Sequence, residues 1–319
     1  MTYALAITGP TASGKTALSI DMARALSLEI ISCDSMQIYR GMDIGTAKAT
    51  EEERRAVAHH MIDFVSPLES YSAESYRKDA LSVLSDISSR GKTALFVGGT
   101  GLYVDTLMRK EAVGSPPSNP ELRQRLMTEY TPEELYQRLR DIDPASAEKT
   151  HKNNVKRVVR AIEIYELSGK TKSYFEKLTQ VAVPDVQIGM ITLDFHNRDR
   201  LYERIDKRVD IMLECGLLSE VRALYEAGLL KEGTTAACAI GYKEIIEHIE
   251  GKSTLDEACE KIKLASRRYA KRQLTWFRHE REAARLFVDS EDGIMRPYSD
   301  VLSDALAMAH SFLDKFEKR

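Results

Sequence analysis

Short apolar runs alternate with amphipathic segments through the first hundred residues of the chain. Residues 3–8 form one apolar run, and "LEIISCD" and "KTALFVGGTG" form two more. The segment Lys15–Leu26 and the later segment "LYVDTLM" have the apolar spacing of helices. We therefore predict three buried strands that alternate with helices, an order typical of a parallel, doubly wound α/β sheet.

The alternation of predicted strands and helices stops at about residue 110. A Pro- and Ser-rich link is followed by helical stretches, two of which carry Pro120 and Pro132 in their first turns. The segment "VQIGMITLDF" is again an apolar run that predicts a strand. We predict an α/β core with C-terminal helices, formed by residues 1–109 and 186–319, and a helical insertion domain at residues 110–185.

The composition is that of an ordinary globular chain. Of its 319 residues, 43% are hydrophobic and 30% are charged. No apolar run approaches the roughly 18 residues of a membrane span. The four cysteines are widely spaced and form no C-x-x-C pair, which suits reduced thiols. We expect a cytoplasmic protein with no membrane partner, and a monomer as the default state.

The distribution of charge is more informative than its sum. A formal net charge of −3 argues weakly against a nucleic-acid partner. Residues 261–278, "KIKLASRRYAKRQLTWFR", nevertheless contain seven Lys or Arg residues and no acidic residue. Such a segment is sufficient to bind RNA phosphates, although a solvated helix face is the alternative.

One loop carries a phosphate-binding signature. "GPTASGKT" follows the first strand and opens the first helix with the spacing of a P-loop, so the predicted fold is P-loop NTPase-like. Its backbone N–H groups and the positive end of the helix would face anionic oxygens. Lys15 would reach the terminal phosphate, and the hydroxyl of Thr16 would ligate Mg²⁺. The predicted phosphate-binding residues of the loop are Gly9, Pro10, Thr11, Ala12, Ser13, Gly14, Lys15 and Thr16.

The loop does not by itself identify a reaction. A kinase or NTPase should place an acidic residue after an apolar strand, where it binds Mg²⁺. The third predicted strand ends in "FVGGTG", which has none, and Asp34 after the second strand is the only good candidate. The Asn-Lys-x-Asp motif of guanine-binding proteins is also missing from the sequence. We therefore expect a P-loop fold whose hydrolytic parts are missing or reassigned.

Seven strings resemble one family and occur in its order over nearly the whole chain. They are "GPTASGKT", "ISCDSMQIYRGMDIGTAK", "VGGTGLY", "NNVKRVVRAIEIYELSGK", "RVDIMLECGLLSEV", "AIGYKE" and "RRYAKRQLTWFR". They are similar to the motifs of bacterial tRNA dimethylallyltransferases. The resemblance implies that dimethylallyl diphosphate gives its five-carbon unit to N6 of the adenosine adjacent, on the 3′ side, to the anticodon. The P-loop would then hold diphosphate as a leaving group, and no phosphoryl group would be transferred.

The resemblance also implies roles for individual residues. Lys15, Thr16 with Mg²⁺ and the loop amides would stabilise the charge that grows on the departing diphosphate. Asp34 would take a proton from N6 as a general base, or would instead be only an outer Mg²⁺ partner. Thr100 is similar to a threonine that contacts the substrate nucleotide, and its alternative role is a helix N-cap.

Two arginines on the helix after "GMITLDF" are further candidates. Arg204 and Arg208 lie one turn apart and could both point at the diphosphate. The alternative for each is a surface ion pair with an acidic neighbour, either Glu203 or Asp206.

A base within a tRNA loop must leave its stack to reach the crevice, which requires a grip on the surrounding backbone. The insertion would clasp the anticodon stem, and the basic helices would contact the RNA. The single Trp276 is expected to pack in the core. The predicted tRNA-binding residues are Asp34, Ser35, Met36, Gln37, Thr100, Arg123, Lys156, Arg157, Val158, Val159, Arg160, Gly241, Tyr242, Arg268, Lys271 and Arg278.

Three rival functions stay open at this point. An adenylate isopentenyltransferase would act on free AMP, ADP or ATP and would not need the insertion or the basic helix. A P-loop small-molecule kinase would form ADP, but it should carry a catalytic Asp and an Arg-rich lid in better order. A non-catalytic RNA-binding module would leave Lys15, Thr16 and Asp34 without a purpose.

Overall fold

The chain divides into two units. The computed structural model describes residues 2–108, 116, 118–180, 186–280 and 283–317. Met1–Met108 and Val186–Arg319 form the α/β unit, and Arg109–Asp185 form the helical unit, a division within one residue of the boundary expected from the sequence. The predicted Pro- and Ser-rich link lies largely outside the described residues.

A parallel sheet forms the frame of the α/β unit. Across the described ranges its strands are β1 Thr2–Thr8, β2 Glu29–Ser32, β3 His59–His60, β4 Ala94–Gly98, β5 Val186–Asp194 and β6 Ala284–Phe287. They lie in the order β3-β2-β4-β1-β5-β6, and all pairings are parallel. Strands that are neighbours in space but not in sequence require crossover connections, which helices supply.

Helices account for most of the remaining described residues. They are α1 Lys15–Leu26, α2 Glu51–Ala56, α3 Ala73–Ser89, α4 Gly101–Met108, α5 Pro120–Glu129, α6 Pro132–Ile142, α7 Pro144–Lys149, α8 Val155–Ser168, α9 Lys172–Gln180, α10 Arg198–Glu214, α11 Leu217–Glu226, α12 Tyr242–Ile249, α13 Leu255–Arg278 and α14 Tyr298–Glu317. Helices α5–α9 belong to the helical unit, and the others belong to the α/β unit.

The two faces of the sheet enter separate hydrophobic cores. On one face, Leu5 and Ile7 of β1 pack with side chains of α1, α10 and α14. On the other face, Ala4 and Ala6 pack with side chains of α3 and α4 and with Phe277 of α13. Because alternate strand residues point to opposite faces, helices cover both sides of the sheet, and the predicted doubly wound architecture is confirmed.

The carboxyl ends of three strands meet at one edge of the sheet. Thr8 of β1 pairs in register with Gly98 of β4, and β2 pairs with the other side of β4. The P-loop follows β1, Asp34 follows β2, and Thr100 follows β4. Open parallel sheets bind ligands at this edge, so the fold brings all three predicted elements to one crevice.

A third core joins the C-terminal helices to the segment that follows β2. It contains Val209 of α10, Val221 of α11 and Ile245 of α12, together with Ile38 and Tyr39. All five residues are buried. This core therefore holds the segment after β2 against helices that the sequence places far away.

The helical unit follows its sequence signals closely. Helices α5 and α6 begin at Pro120 and Pro132, as predicted, with side-chain caps from Asn119 and Thr131. Helix α8 ends at Ser168, and its predicted C-cap, Gly169, has a φ of 67° in the left-handed region that glycine tolerates. These caps confirm the predicted helix boundaries.

Two strands escaped prediction because they are short. Strand β3 has two residues and β6 has four, and neither forms a continuous apolar run. Tertiary pairing at the two outer positions of the sheet makes them strands. No helix in the described ranges is both long and apolar enough to cross a membrane.

Candidate active site

A cavity of about 580 Å³ opens at the carboxyl end of β1, and the P-loop forms one of its walls. Gly9 has a φ of 140°, and an added Cβ would lie 2.8 Å from the carbonyl oxygen of Leu193. Gly14, immediately before α1, has a φ of 96°. Only glycine adopts these conformations without strain, so the turn is built as the motif predicts.

Lys15 begins α1 and folds back over the loop. Its Nζ atom donates to the carbonyl oxygens of Gly9 at 3.0 Å and Pro10 at 2.6 Å. Enclosure of the amine and the nearby Arg208 guanidinium lower the pKa of Lys15 to about 7, while the Asp34 carboxylate acts in the opposite direction. A bound anion would favour the charged form of this amine.

The hydroxyl of Ser13 adds a second polar group to the same wall. Ser13 is 4% exposed and lines the cavity. Its Oγ atom is buried and has no hydrogen-bond partner in the part of the chain that the structure describes. Buried hydroxyl groups are usually partnered, so this one is consistent with a site for a bound group.

Arg204 and Arg208 of α10 line the same cavity as the P-loop, and neither pairs with Glu203 or Asp206 within the described residues, so the surface-ion-pair alternative is wrong. Arg204 Nε donates to the carbonyl oxygen of Ala12 at 2.8 Å, and burial lowers the pKa of both arginines. Their acidic neighbours have other partners, since Asp206 pairs with Arg267 on α13 and Glu203 pairs with Arg200.

Asp34 lies at the junction of two cavities. Its Oδ1 atom accepts a 2.9 Å hydrogen bond from the backbone N–H of Met36, which orients the carboxylate. A second cavity, of about 280 Å³, shares Asp34, Arg208 and Tyr269 with the first. Burial raises the pKa of Tyr269 to about 12, so its hydroxyl stays protonated beside the carboxylate.

Thr100 connects the turn after β4 to the segment after β2. Its Oγ1 atom accepts a 3.0 Å hydrogen bond from the backbone N–H of Ser35 and lies 3.3 Å from Ser35 Oγ. The side chain therefore binds the neighbour of Asp34, which is not the N-cap bond that the alternative required. Trp276 packs against the same turn, as expected, and an added Cβ at Gly101 would lie 2.5 Å from its ring.

The remaining residues of the segment "DSMQ" divide between the cavities. Ser35 and Met36 line the second cavity, and Gln37 lines the first. The Gln37 side chain is already engaged, because Nε2 donates to the carbonyl oxygens of Thr46 and Ala47 at 3.2 Å each.

The second cavity has mostly apolar walls and includes only one of the two predicted residues of "AIGYKE". Gly241 lines it, but Tyr242 does not. Tyr242 is fully buried, and its hydroxyl donates to Glu220 Oε1 at 2.5 Å. The prediction that Tyr242 contacts RNA is therefore wrong, because its side chain fills the third core.

Glu220 of α11 is a residue that sequence reasoning missed. Its carboxylate accepts hydrogen bonds from the backbone N–H groups of Asp43, Ile44 and Gly45, at 3.0, 2.7 and 3.2 Å. This loop continues into Thr46, which lines both cavities. No local pattern could reveal the interaction, since its partners are backbone groups at least 175 residues away.

Gln273 of α13 was also missed as a site residue. Its side chain accepts from the backbone N–H of Thr11 and donates to the carbonyl oxygen of Gly99. A signal was present, because Gln273 lies one helical turn after Tyr269 on the face opposite the basic residues. A polar residue on a buried helix face requires a partner.

Only some of the basic residues of α13 are available to bind a ligand, because others form ion pairs within the protein. Four of its cations form ion pairs: Lys261 with Glu247, Lys263 with Asp210, Arg267 with Asp206 and Arg278 with Asp194. Arg268, Lys271 and Arg272 are exposed and form no ion pair within the described ranges. Arg278, a predicted tRNA contact, is held by the buried carboxylate of Asp194, which raises its pKa.

The helical unit also separates exposed cations from structural ones. Lys156 and Arg157 of α8 are exposed. Val158 and Val159 are 1% and 2% exposed and pack in the unit's core, so the prediction that they contact RNA is wrong for their side chains.

The other two predicted arginines of the helical unit surround a buried carboxylate. Arg123 forms two hydrogen bonds to Glu163, at 3.0 and 2.9 Å, and Arg160 forms one at 2.5 Å. Burial alone would raise the pKa of Glu163, but the bonds from Arg123 and Arg160 outweigh it and lower the pKa. Both arginines therefore have a structural role in this unit, whatever they contact besides.

Comparisons with known proteins agree with this geometry. The IPP transferase family model matches residues 37–280. A tRNA dimethylallyltransferase from Acetivibrio thermocellus is 47% identical over 284 residues, which cover 87% of this chain and 89% of that protein. The solved tRNA isopentenylpyrophosphate transferase from Bacillus halodurans is 38% identical, with a TM-score of 0.74 and coverage of 100% of this chain and 99% of that chain.

A second similar structure is a eukaryotic dimethylallyltransferase described as acting on tRNA. It is 29% identical, with a TM-score of 0.81, and the match covers 99% of this chain and 80% of that chain. The match of the family model over most of the sequence, together with relatives of this identity and coverage, shows that this chain belongs to the IPP transferase family.

Proposed function

We propose that this chain transfers the dimethylallyl group of dimethylallyl diphosphate to N6 of the adenosine on the 3′ side of the anticodon in tRNA, with release of diphosphate. The observation that carries the proposal is the junction of the two cavities. Asp34 and Arg208 line both of them. A carboxylate that accepts protons and a cation that binds phosphate therefore meet at the place where two substrates would react.

The first cavity suits a departing diphosphate. Rupture of the allylic C–O bond transfers an electron pair to the diphosphate oxygen, and negative charge grows there. Lys15, Arg204 and Arg208 surround this space with positive charge, and the P-loop adds backbone N–H groups. Preorganised donors of this kind typically contribute about 10²–10³-fold each to the rate.

Magnesium is the proposed cofactor. Mg²⁺ prefers oxygen ligands and is usually held by one or two protein groups together with substrate phosphates. The hydroxyl of Thr16 and the carboxylate of Asp34 line the same cavity and fit this requirement. The described residues contain no cluster of three His, Cys, Asp or Glu residues that would bind the ion without substrate. When bound, the ion would neutralise part of the diphosphate charge.

Asp34 is the proposed general base for the acceptor. The exocyclic N6 of adenosine must lose a proton as its bond to the allylic carbon forms. The carboxylate would accept this proton from the side of the second cavity. The hydrogen bond from the backbone N–H of Met36 to Oδ1 would hold the carboxylate in place. General-base catalysis typically contributes about 10²–10⁴-fold.

Exposed cations supply the proposed grip on the RNA. Arg268, Lys271 and Arg272 form a positive strip on α13, and Lys156 and Arg157 extend from α8 of the helical unit. We propose that the first group binds the backbone near the target adenosine and that the helical unit clasps the anticodon stem. The free cysteines suit a cytoplasmic location, and a monomer is the proposed state.

The test compares acceptors in one experiment. Purified protein, Mg²⁺ and radiolabelled dimethylallyl diphosphate are incubated with unmodified bacterial tRNA, and in parallel with AMP. We expect label in tRNA only, in an adenosine next to the anticodon. Label in AMP alone would overturn the proposal in favour of a free-nucleotide isopentenyltransferase. A tRNA transcript in which guanosine replaces that adenosine is the matched negative control.

A further inference from the structure

Gln273 of α13 joins two loops that follow different strands. Its Oε1 atom accepts a 2.8 Å hydrogen bond from the backbone N–H of Thr11, and its Nε2 atom donates a 2.9 Å hydrogen bond to the carbonyl oxygen of Gly99. The residue is 5% exposed. A single planar amide thus accepts a hydrogen bond from the P-loop and donates one of its two N–H groups to the turn after β4.

Gln273 packs closely against Gly99, and the next residue, Thr100, extends the contacts toward the proposed acceptor site. A Cβ added to Gly99 would lie 2.1 Å from Nε2 of Gln273 and 3.2 Å from the carbonyl oxygen of Gly9. Thr100, the next residue, accepts the hydrogen bond from Ser35. An unbroken series of contacts therefore runs from the P-loop through Gln273 to the neighbour of Asp34.

We propose that Gln273 is a positioning residue that sets the separation between the diphosphate and the acceptor nitrogen. The proposal rests on the transfer reaction proposed above. The reacting atoms must approach within about 3–3.5 Å, and a displacement of about 1 Å can lower a rate about 10²-fold. The P-loop holds one reactant, and the segments after β2 and β4, which contain Asp34 and Thr100, hold the other. The Gln273 amide joins the P-loop to the turn after β4 and so fixes the relative position of the two reactants.

This role has a distinctive kinetic signature. Gln273 lines the first cavity, but its two hydrogen bonds described above join backbone groups of the protein, so their loss should leave both substrates able to bind. Replacement should therefore misalign two substrates that still bind. The expected effect is a loss in kcat with little change in KM.

The principal variant is Gln273→Met, which keeps the length of the side chain and removes both hydrogen bonds. We expect kcat to fall about 100-fold, with KM for donor and tRNA changed less than about threefold. Gln273→Glu keeps the acceptor for Thr11 but places a negative charge beside the diphosphate site. It should lower kcat and also raise KM for the donor.

The matched control is Leu274→Ala. Leu274 is the adjacent residue on α13, is 3% exposed and lies in the core that contains Leu5 and Ile7 of β1. This substitution should lower the melting temperature without lowering kcat. A melting temperature reduced in Gln273→Met with kcat unchanged would overturn the proposal, because Gln273 would then only stabilise the fold.

Hydrogen exchange gives a second readout that does not require activity. In Gln273→Met, the peptide segments around Thr11 and Gly99 should exchange faster, whereas in Leu274→Ala any increase should spread over the α/β unit. If wild-type protein labels no tRNA, the proposed function fails, yet local exchange at these segments still decides whether Gln273 holds them together. Unchanged exchange at both segments would overturn the positioning role.

Discussion

The hydroxyl of Tyr242 donates a 2.5 Å hydrogen bond to Oε1 of Glu220, the carboxylate that also holds the backbone of residues 43–45. Tyr242 is fully buried, so it acts on the second cavity only through Glu220 and the loop. This hydrogen bond explains why Tyr242 belongs to a family motif although its side chain has no exposed surface that could contact RNA.

Removal of this hydroxyl should affect stability and not RNA affinity. In Tyr242→Phe we expect the free energy of unfolding to fall by about 1.5–3 kcal/mol, because a buried hydrogen bond to a charged group is lost. Affinity for tRNA should stay within about twofold. The control is Tyr225→Phe, whose hydroxyl bonds to Glu250 at the protein surface and should matter less. Denaturant titration and filter binding measure the two quantities, and a large loss of tRNA affinity would contradict the account.

Asp34→Asn separates the two proposed roles of this carboxylate. If Asp34 is the general base, the single-turnover rate should fall about 10²–10⁴-fold at every Mg²⁺ concentration, with tRNA affinity little changed. The amide keeps the size of the side chain and can still accept the hydrogen bond from Met36. Recovery of the rate at high Mg²⁺ would contradict the base assignment and would identify Asp34 as a metal partner only.

Lys15 should couple diphosphate binding to proton uptake. Its pKa is lowered to about 7, so the amine is largely neutral at pH 8. A bound anion raises the pKa toward its ordinary value, so binding should take up a proton above pH 7, and affinity should fall as pH rises. Below pH 7 the amine is already charged, and the uptake should disappear.

Calorimetry with inorganic diphosphate and Mg²⁺, in two buffers of different ionisation enthalpy, measures this uptake. The same titration with Lys15→Met reports the protons that diphosphate itself gains or loses. The difference at pH 8 should approach one proton per site. Equal uptake by both proteins would show that Lys15 is already charged in the free site.

The exposed cations of α13 should contribute more to tRNA binding than the cations that form ion pairs. Lys271→Ala should weaken tRNA binding and reduce the slope of log K against log salt concentration by about 0.7–0.9, the contribution of one phosphate contact. Lys261→Ala is the control, because that lysine forms an ion pair with Glu247. It should change the slope less. Equal slopes for wild type and Lys271→Ala would remove Lys271 from the interface.

Local sequence signals predicted the parts of the site that depend on chain neighbours. The P-loop is one continuous segment between a strand and a helix, so the spacing of its residues in the sequence predicts its conformation. The order of strands and helices likewise placed Asp34 and Thr100 at the same edge as the loop. The caps of α5 and α6 were predictable for the same reason, since each involves residues three positions apart.

The sequence was less informative where distant residues neutralise or bury a side chain. Residues 261–278 of α13 form a basic run that no acidic residue interrupts. Three of its basic residues nevertheless pair with Asp194, Asp206 and Asp210, which belong to other elements of the chain. Glu220 and Gln273 bind backbone groups of distant segments, so the sequence could indicate that Gln273 needs a partner but could not identify the partners of either side chain. Val158 and Val159 lie in a motif, but the same helix must also bury its apolar face.

The most direct test of the central claim is whether the P-loop holds a leaving group. Wild-type protein, tRNA, Mg²⁺ and doubly labelled dimethylallyl diphosphate are mixed with ATP present, and prenylated tRNA, inorganic diphosphate and ADP are measured together. We predict one inorganic diphosphate released for each dimethylallyl group that enters tRNA, with no ADP formed. Formation of ADP without prenylated tRNA would contradict the account and would make the loop that of a phosphoryl-transfer enzyme.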